Sequence, residues 1–346
     1  METQFKRIDP SQYAHAWENI PYADQDPLQV VHIYTPGDAG DYPLLVYVNG
    51  GGWVQQLTNY NTVPGVWKAP SQGYALASIG YRLAPKWCWP AQVLDVKAAI
   101  RFLRAHAHEY GYNADKIVAW GNSAGGHILG TCCATNGKPT FEDLTMGNSK
   151  QSSEIQGFVS FYAPSDLYEA ELNTYISAEE MHALAESPDG LNDARPGMAL
   201  NSNIELGCRA LDNPGIAAMA SPINFVTKDF PPTYFVQGLA DPIVAYTQTV
   251  NMYNKVKYMC GEDRARTDLI PGGVHGDPRI KADDITKKVY DFVDEIVFGE
   301  VRQRPDLPWS RQVGKGETWK LKQSLAMCAF RPVRRVSCLI KSAAKM

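Results

Sequence analysis

The residues best suited to chemistry lie at Gly121-Asn122-Ser123-Ala124-Gly125, a G-x-S-x-G between the apolar run Ile117-Val118-Ala119-Trp120 and Gly126-His127-Ile128-Leu129-Gly130. A serine on a tight strand-to-helix turn stands above the end of a sheet with its hydroxyl exposed, which makes Ser123 a candidate nucleophile for acyl transfer. The small residues on either side let the two backbones approach closely enough to form such a turn. The same five residues also describe an ordinary turn with an exposed serine, so the reading depends on what else the chain supplies.

Serine becomes a useful nucleophile when a base takes its proton and an acid orients that base. In sites built on such a turn, the acid and the base follow the serine in chain order. His15, His32, His106 and His108 precede Ser123, and His127 lies one helical turn beyond it, within its own helix. His182 falls in a segment with no strand before it, whereas His275 stands in Pro271-Gly272-Gly273-Val274-His275-Gly276-Asp277, a flexible loop after a strand. His275 is therefore the expected base. The acid is expected just after the preceding strand, where Thr233-Tyr234-Phe235-Val236-Gln237-Gly238-Leu239-Ala240-Asp241 offers Asp241. Its other reading is a helix cap ahead of Pro242. Asp268, inside a strand, and Asp263, in a charged connection, are weaker alternatives.

Acyl transfer also needs donors for the oxygen of its tetrahedral intermediate. Asn49-Gly50-Gly51-Gly52-Trp53 follows the strand Leu44-Leu45-Val46-Tyr47-Val48, and three successive glycines leave backbone N–H groups unshielded. Ala124, the residue after Ser123, offers one more. Trp53, Trp87, Trp89 and Tyr162 are candidates for an apolar acyl or aryl pocket, although aromatic residues beside core strands often serve packing instead.

These side chains need a scaffold, and the hydrophobic pattern supplies one. Strand-like runs recur at residues 29–34, 44–48, 75–81, 116–120, 156–162, 233–236 and 267–270, several of them continuously apolar as buried strands are. Helical patterns fall between them, at residues 124–134, 245–259, 285–297 and after Pro90, which fits a first helical position. The alternation predicts an α/β fold with a doubly wound, mostly parallel central sheet flanked by helices. Residues 167–220 break the pattern with Glu-rich helical stretches and a Gly/Pro/Asn-rich passage, and read as a lid or cap insertion over the carboxyl edge of the sheet.

The 346 residues carry 33 Lys/Arg and 37 Asp/Glu, but residues 300–346 hold 11 Lys/Arg and 3 Asp/Glu, leaving a body of net −12 and a tail of +8. An acidic body argues against general nucleic-acid binding, which needs a basic face. The tail has a basic amphipathic pattern and Arg334-Arg335-Val336-Ser337 resembles a phosphorylation site; a poorly ordered extension is expected. Seven cysteines without C-x-x-C spacing read as mostly buried thiols, not a metal or redox site. The amino terminus has no apolar signal stretch and no run reaches membrane-spanning length, so a cytoplasmic chain without a membrane span is expected.

With these residues assembled, residues 25–298 resemble the α/β-hydrolase superfamily, close to esterases of the hormone-sensitive-lipase and feruloyl or acetylxylan type. The signatures are Gly50-Gly51-Gly52-Trp53, Tyr81-Arg82-Leu83-Ala84-Pro85, Pro90-Ala91-Gln92 leading to Asp95-Val96-Lys97-Ala98-Ala99, Gly121 to His127, and Ala240-Asp241-Pro242 ahead of His275-Gly276. The resemblance implies Ser123 as nucleophile, His275 as base and then acid, Asp241 as orienting carboxylate, and Gly51, Gly52 and Ala124 as oxyanion donors. Asn49 replaces the histidine that usually opens the glycine loop, and Gln237 replaces a histidine common before the acid-bearing loop. The resulting division is an N-terminal segment 1–24, a hydrolase domain 25–298 with its insertion at about 167–220, and the tail 299–346.

The expected activity is a serine carboxylesterase acting on a small-molecule ester of short-chain acyl, acetyl or feruloyl type, with no metal or organic cofactor. An aryl formamidase or small-amide hydrolase would use the same machinery on another bond. A non-catalytic binding protein on this fold would typically lack a triad residue. The oligomeric state is not legible from the sequence.

Overall fold

The computed structural model describes residues 5–38, 40–172 and 197–303, with backbone only for residues 197–200. Eight strands form one sheet: β1 (His15–Pro21), β2 (Val30–Thr35), β3 (Tyr42–Val48), β4 (Ala75–Ile79), β5 (Tyr112–Asn122), β6 (Gly157–Phe161), β7 (Thr233–Gly238) and β8 (Ala265–Ile270). Their spatial order is β1-β2-β4-β3-β5-β6-β7-β8. The pairs β1/β2 and β2/β4 are antiparallel, and every pair from β4 to β8 is parallel. The chain leaves β3 for β4 on one side and returns to β5 on the other. The carboxyl ends of β3 and β5 therefore flank the point where the order reverses, the place at which open α/β sheets leave a crevice.

Seven α-helices are described: α1 (Ala91–Ala105), α2 (Ala124–Ala134), α3 (Leu167–Leu172), α4 (Gly197–Leu206), α5 (Pro214–Met219), α6 (Tyr246–Cys260) and α7 (Asp283–Phe298). Side chains alternate across a strand, and β5 shows how both faces are used. Ile117 and Ala119 join the core that includes Ile100 and Leu103 of α1 and Ile128 and Leu129 of α2. Trp120, on the opposite face, meets Phe161 and, on α7, Tyr290, with ring centroids 5.1 and 6.1 Å away. Both faces are buried, which is why β4, β5 and β6 read as nearly continuous apolar runs.

The expected mostly parallel sheet flanked by helices is the one observed, with one strand more than the sequence pattern marks. β1 falls within the segment 1–24 and pairs with β2 at the sheet edge. Its sequence, His-Ala-Trp-Glu-Asn-Ile-Pro, is half-exposed along its length and its register shifts between Trp17 and Ile20. Asn19 there has a φ of 57°, a left-handed conformation that asparagine tolerates. Such an irregular edge strand carries little hydrophobic signature.

Of the interrupting segment 167–220, α3, α4 and α5 are described, while residues 173–196, including His182, lie outside the described residues, as do residues 304–346 of the tail. Cys132 and Cys133 are buried, but Cys88, Cys208 and Cys260 are only half-buried, which corrects the expectation of mostly buried thiols for the five described. They lie in loops or at a helix end instead of within the sheet-facing helix.

The tightest contact in the scaffold is between α2 and the end of β3. A Cβ on Gly125 would meet the carbonyl oxygens of Val48 and Asn49, and one on Gly126 would be 2.6 Å from Ala163 Cβ. Backbone atoms cannot yield as a flexible side chain does. Gly125→Ala should therefore destabilise the protein by about 3 kcal/mol, measured as a lowered urea midpoint, whereas a near-wild-type midpoint would show that α2 has room to move.

Candidate active site

Ser123 follows the last residue of β5 and precedes the first of α2. Its φ of 51° and ψ of −127° are costly for a residue with a side chain. The conformation is held from both sides, by Ser123 N–H donating to the Phe161 carbonyl at 2.9 Å and by His127 N–H donating to the Ser123 carbonyl at 3.1 Å. It leaves the hydroxyl facing a cleft of about 580 Å³, lined among others by Gly50, Gly51, Gly52, Tyr162, His275 and Lys281.

His275, in the loop after β8, lies between two of the residues singled out in the sequence. Its Nε2 is 3.1 Å from Ser123 Oγ and its Nδ1 is 2.8 Å from Asp241 Oδ2. The carboxylate only accepts, so Nδ1 carries the proton and Nε2 is left to accept from the serine hydroxyl. Asp241 is buried in the loop after β7. Its Oδ1 accepts from the backbone N–H groups of Ile243 and Val244 at 2.8 and 2.9 Å, and its Oδ2 accepts from Gln237 Nε2 at 3.1 Å. Asp241 thus shapes its own turn while also meeting His275; it does not cap a helix, because α6 begins only at Tyr246 with Ala245 at the cap position. Asp268 is engaged elsewhere, by Tyr234 and Lys288, and Asp263 lies in the short turn Glu262–Arg264.

The glycine loop after β3 has positive φ at Gly51, Gly52 and Trp53, of 121°, 58° and 61°. Among the described residues no acceptor takes the N–H groups of Gly51, Gly52 or Ala124. The Gly50 N–H is used, donating to Asn122 Oδ1 at 3.2 Å. That same oxygen accepts from Tyr47 Oη at 2.7 Å, and Asn122 Nδ2 faces Tyr162 Oη at 3.3 Å. Asn122, inside the G-x-S-x-G but not singled out from it, therefore ties the glycine loop to the serine turn. Gln237, noted only as a departure from a family pattern, turns out to brace Asp241, with its own Oε1 accepting from Thr249 Oγ1 at 2.9 Å.

The aromatic candidates divide. Tyr162 lines the cleft with its ring centroid 4.7 Å from that of His275, and Trp53 lines it too, although its side chain is fully buried. Trp87 and Trp89 are not among the cleft residues, which corrects the expectation for both. The Trp87 indole donates to Asp26 Oδ2 at 2.8 Å under the Arg82 guanidinium, and Trp89 packs against Phe141 at 5.1 Å. Both rings serve the loop that leads into α1.

Beneath the glycine loop, His127 and Glu205 face each other at 3.9 Å, but they do not form an ion pair. The Trp53 indole donates to His127 Nδ1 at 3.2 Å, and His127 Nε2 donates to the Ala220 carbonyl at 2.7 Å, which describes a neutral ring. Burial lowers its pKa to about 4. Burial likewise holds the Glu205 carboxyl well above the usual carboxylate range, and among the described residues neither of its oxygens has a hydrogen-bond partner.

The chain thus has an α/β-hydrolase fold, with serine, histidine and aspartate brought together at the carboxyl ends of its strands. The family model of BD-FAE matches residues 31–256, and the chain belongs to that family of hormone-sensitive-lipase-like esterases. It is 28% identical over 240 residues to esterase LipQ and 26% identical over 267 residues to esterase LipC, both of Mycobacterium tuberculosis. Those alignments take in 68% and 76% of this chain but only 52% and 60% of the relatives' own lengths. Among solved structures, a truncated carbohydrate esterase from gut microbiota superposes with a TM-score of 0.68 at 26% identity, covering 84% of this chain and 99% of that one. No described helix is long and apolar enough to cross a membrane.

The buried pair sets a pH dependence of stability. For Glu205 the folded pKa is raised, so its contribution is complete below the unfolded value of 4.5 and is lost as pH rises toward the folded one. For His127 the folded pKa is lowered, so its contribution is present above 6.5 and is lost as pH falls toward about 4. Glu205→Gln should flatten the alkaline side of the stability–pH curve and exceed wild type in urea midpoint at about pH 8; an unchanged alkaline slope would contradict the assignment.

Proposed function

We propose that this chain is a serine-dependent carboxylic ester hydrolase, with Ser123 as nucleophile, His275 as general base and acid, Asp241 as orienting carboxylate, and the N–H groups of Gly51, Gly52 and Ala124 as oxyanion donors. The reading rests on the single His275 ring that spans Ser123 and Asp241 at 3.1 and 2.8 Å. It is supported by the relatives named as esterases and by the carbohydrate esterase of like fold. The acyl group is a short-chain acyl, an acetyl or a feruloyl group, each of which a cleft of about 580 Å³ has room for.

In this mechanism Ser123 Oγ attacks the ester carbonyl as its proton passes to His275 Nε2. The carbonyl electrons move onto oxygen, where the free N–H groups stabilise the developing charge. Asp241 stabilises the imidazolium without taking its proton. Collapse of the intermediate expels the alcohol, which takes the proton back from His275, and leaves an acyl-Ser123. Water then adds to the acyl-enzyme by the same steps and releases the acid. Gln237, holding Asp241 Oδ2, acts as a positioning residue.

A panel of para-nitrophenyl acetate, butyrate and an acetylated sugar, run beside an N-formyl arylamine, tests this reading. Wild type should turn over the acetyl esters faster than the amide, and Ser123→Ala should lower kcat by at least about 10³-fold. Asp241→Asn should cost about 10⁴-fold in kcat by favouring the wrong histidine tautomer. Wild-type turnover in Ser123→Ala would refute the nucleophile, and a clear amide preference would move the reaction to a formamidase.

A further inference from the structure

Lys281 ends the short helical turn Pro278–Lys281, six residues after His275, and its side chain reaches back over the cleft. Its Nζ lies 3.3 Å from where a Cβ of Gly276 would be, and that same point is 3.8 Å from Tyr162 Oη. The ammonium therefore stands beside the residue that follows His275. Among the described cleft residues it is the one lysine or arginine, and there is no aspartate or glutamate.

Among the described residues nothing neutralises this charge. No ion pair or hydrogen bond among the described residues takes Lys281 Nζ, which lies over the Phe5 ring at 5.9 Å from the centroid. The carboxylates close in sequence are placed elsewhere: Asp283 pairs with Lys68 at 2.5 Å, Asp284 is exposed, and Asp277 is held by Arg279 through contacts of 3.0 and 2.8 Å and by backbone donors of its own turn. Lys281 is half-buried, and burial draws its pKa below the usual lysine value. A partly desolvated cation without a counter-charge is costly unless something else in the cleft supplies one.

We propose that Lys281 makes this cleft selective for esters whose alcohol portion carries a carboxylate. The inference rests on the esterase reading above and adds a substrate class to it. His275 must hand its proton to the departing alkoxide, so the alcohol portion lies on the histidine side of the serine. Lys281 stands on that side, next to Gly276 and Tyr162 Oη, where an ammonium and a phenol can both donate to one carboxylate. One cation with no second beside it suits a monoanion better than a phosphate dianion. The apolar residues Val54, Leu57 and Ile243 line other parts of the cleft and leave its remainder suited to uncharged groups.

The test uses two acetyl esters that differ only in this charge, para-acetoxybenzoate and its methyl ester, with the full chain as wild type, Lys281→Met and Lys281→Arg. The readout is the ratio of kcat/KM for the carboxylate over the methyl ester, in which differences of intrinsic reactivity cancel between variants. That ratio should fall about tenfold in Lys281→Met and stay within about threefold of wild type in Lys281→Arg. In wild type it should also fall as salt is raised, because salt screens a partly exposed charge. A ratio that is the same in Lys281→Met as in wild type overturns the role of Lys281 while leaving the esterase reading intact. Hydrolysis of neither ester by wild type would overturn the esterase reading itself.

Discussion

The site depends on how closely α2 approaches the end of β3. Only a residue without a side chain fits at position 125, because the carbonyl oxygens of Val48 and Asn49 occupy the space a Cβ would need. This close approach forces the turn at Ser123 into a conformation that a side-chain-bearing residue adopts reluctantly, and two backbone hydrogen bonds hold it there. It also brings the N-terminus of α2, with its partial positive charge, beside the glycine loop that leaves β3. Asn122 converts that proximity into a fixed geometry, since its amide binds the Gly50 N–H, Tyr47 and Tyr162 together. Strand order contributes the rest: with β3 and β5 at the reversal of the sheet, the two loops that must meet emerge side by side.

Polar groups around the serine are treated in two contrasting ways. Asp241 is buried, yet each of its oxygens has partners, two backbone N–H groups on one and Gln237 with His275 on the other. Such a carboxylate stays where it is put and holds the imidazole in one orientation. Below the glycine loop the opposite solution is used, in which His127 is neutral and Glu205 is sequestered without a hydrogen-bond partner among the described residues. Glu205 belongs to α4, the same helix whose Asn201 closes on Gly52. The described part of the interrupting segment thus contributes to the site, with Asn201 lining the cleft.

Much of this was legible in the residues themselves. The turn at Ser123 announces itself because its chemistry demands small residues in a fixed place, and strand-then-loop placement separates His275 from His182 and Asp241 from Asp268. The parallel strands are legible because burial on both faces leaves an apolar run. β1 was not, because an irregular edge strand mixes polar and apolar residues. Trp87 and Trp89 misled because aromatic side chains look alike in a sequence whether they line a cleft or pack a loop; only the partners, Asp26 and Phe141, tell them apart. The roles of Asn122, Gln237 and Lys281 were not legible either. Asn122 acts through Gly50 and Tyr47, far along the chain, and Gln237 and Lys281 through the path of the loops that carry Asp241 and Gly276, which hydrophobic periodicity does not encode.

The central claim is that the Ser123 hydroxyl is activated by His275, and covalent labelling reads that activation at the atom concerned. The full chain would be treated with a fluorophosphonate, which reacts with activated serines, and the adduct located by intact mass and peptide mapping. The account predicts one adduct per chain, on the peptide containing Ser123, with labelling strongly slowed in His275→Ala. Labelling of another serine, or the same rate with and without the imidazole, would contradict it.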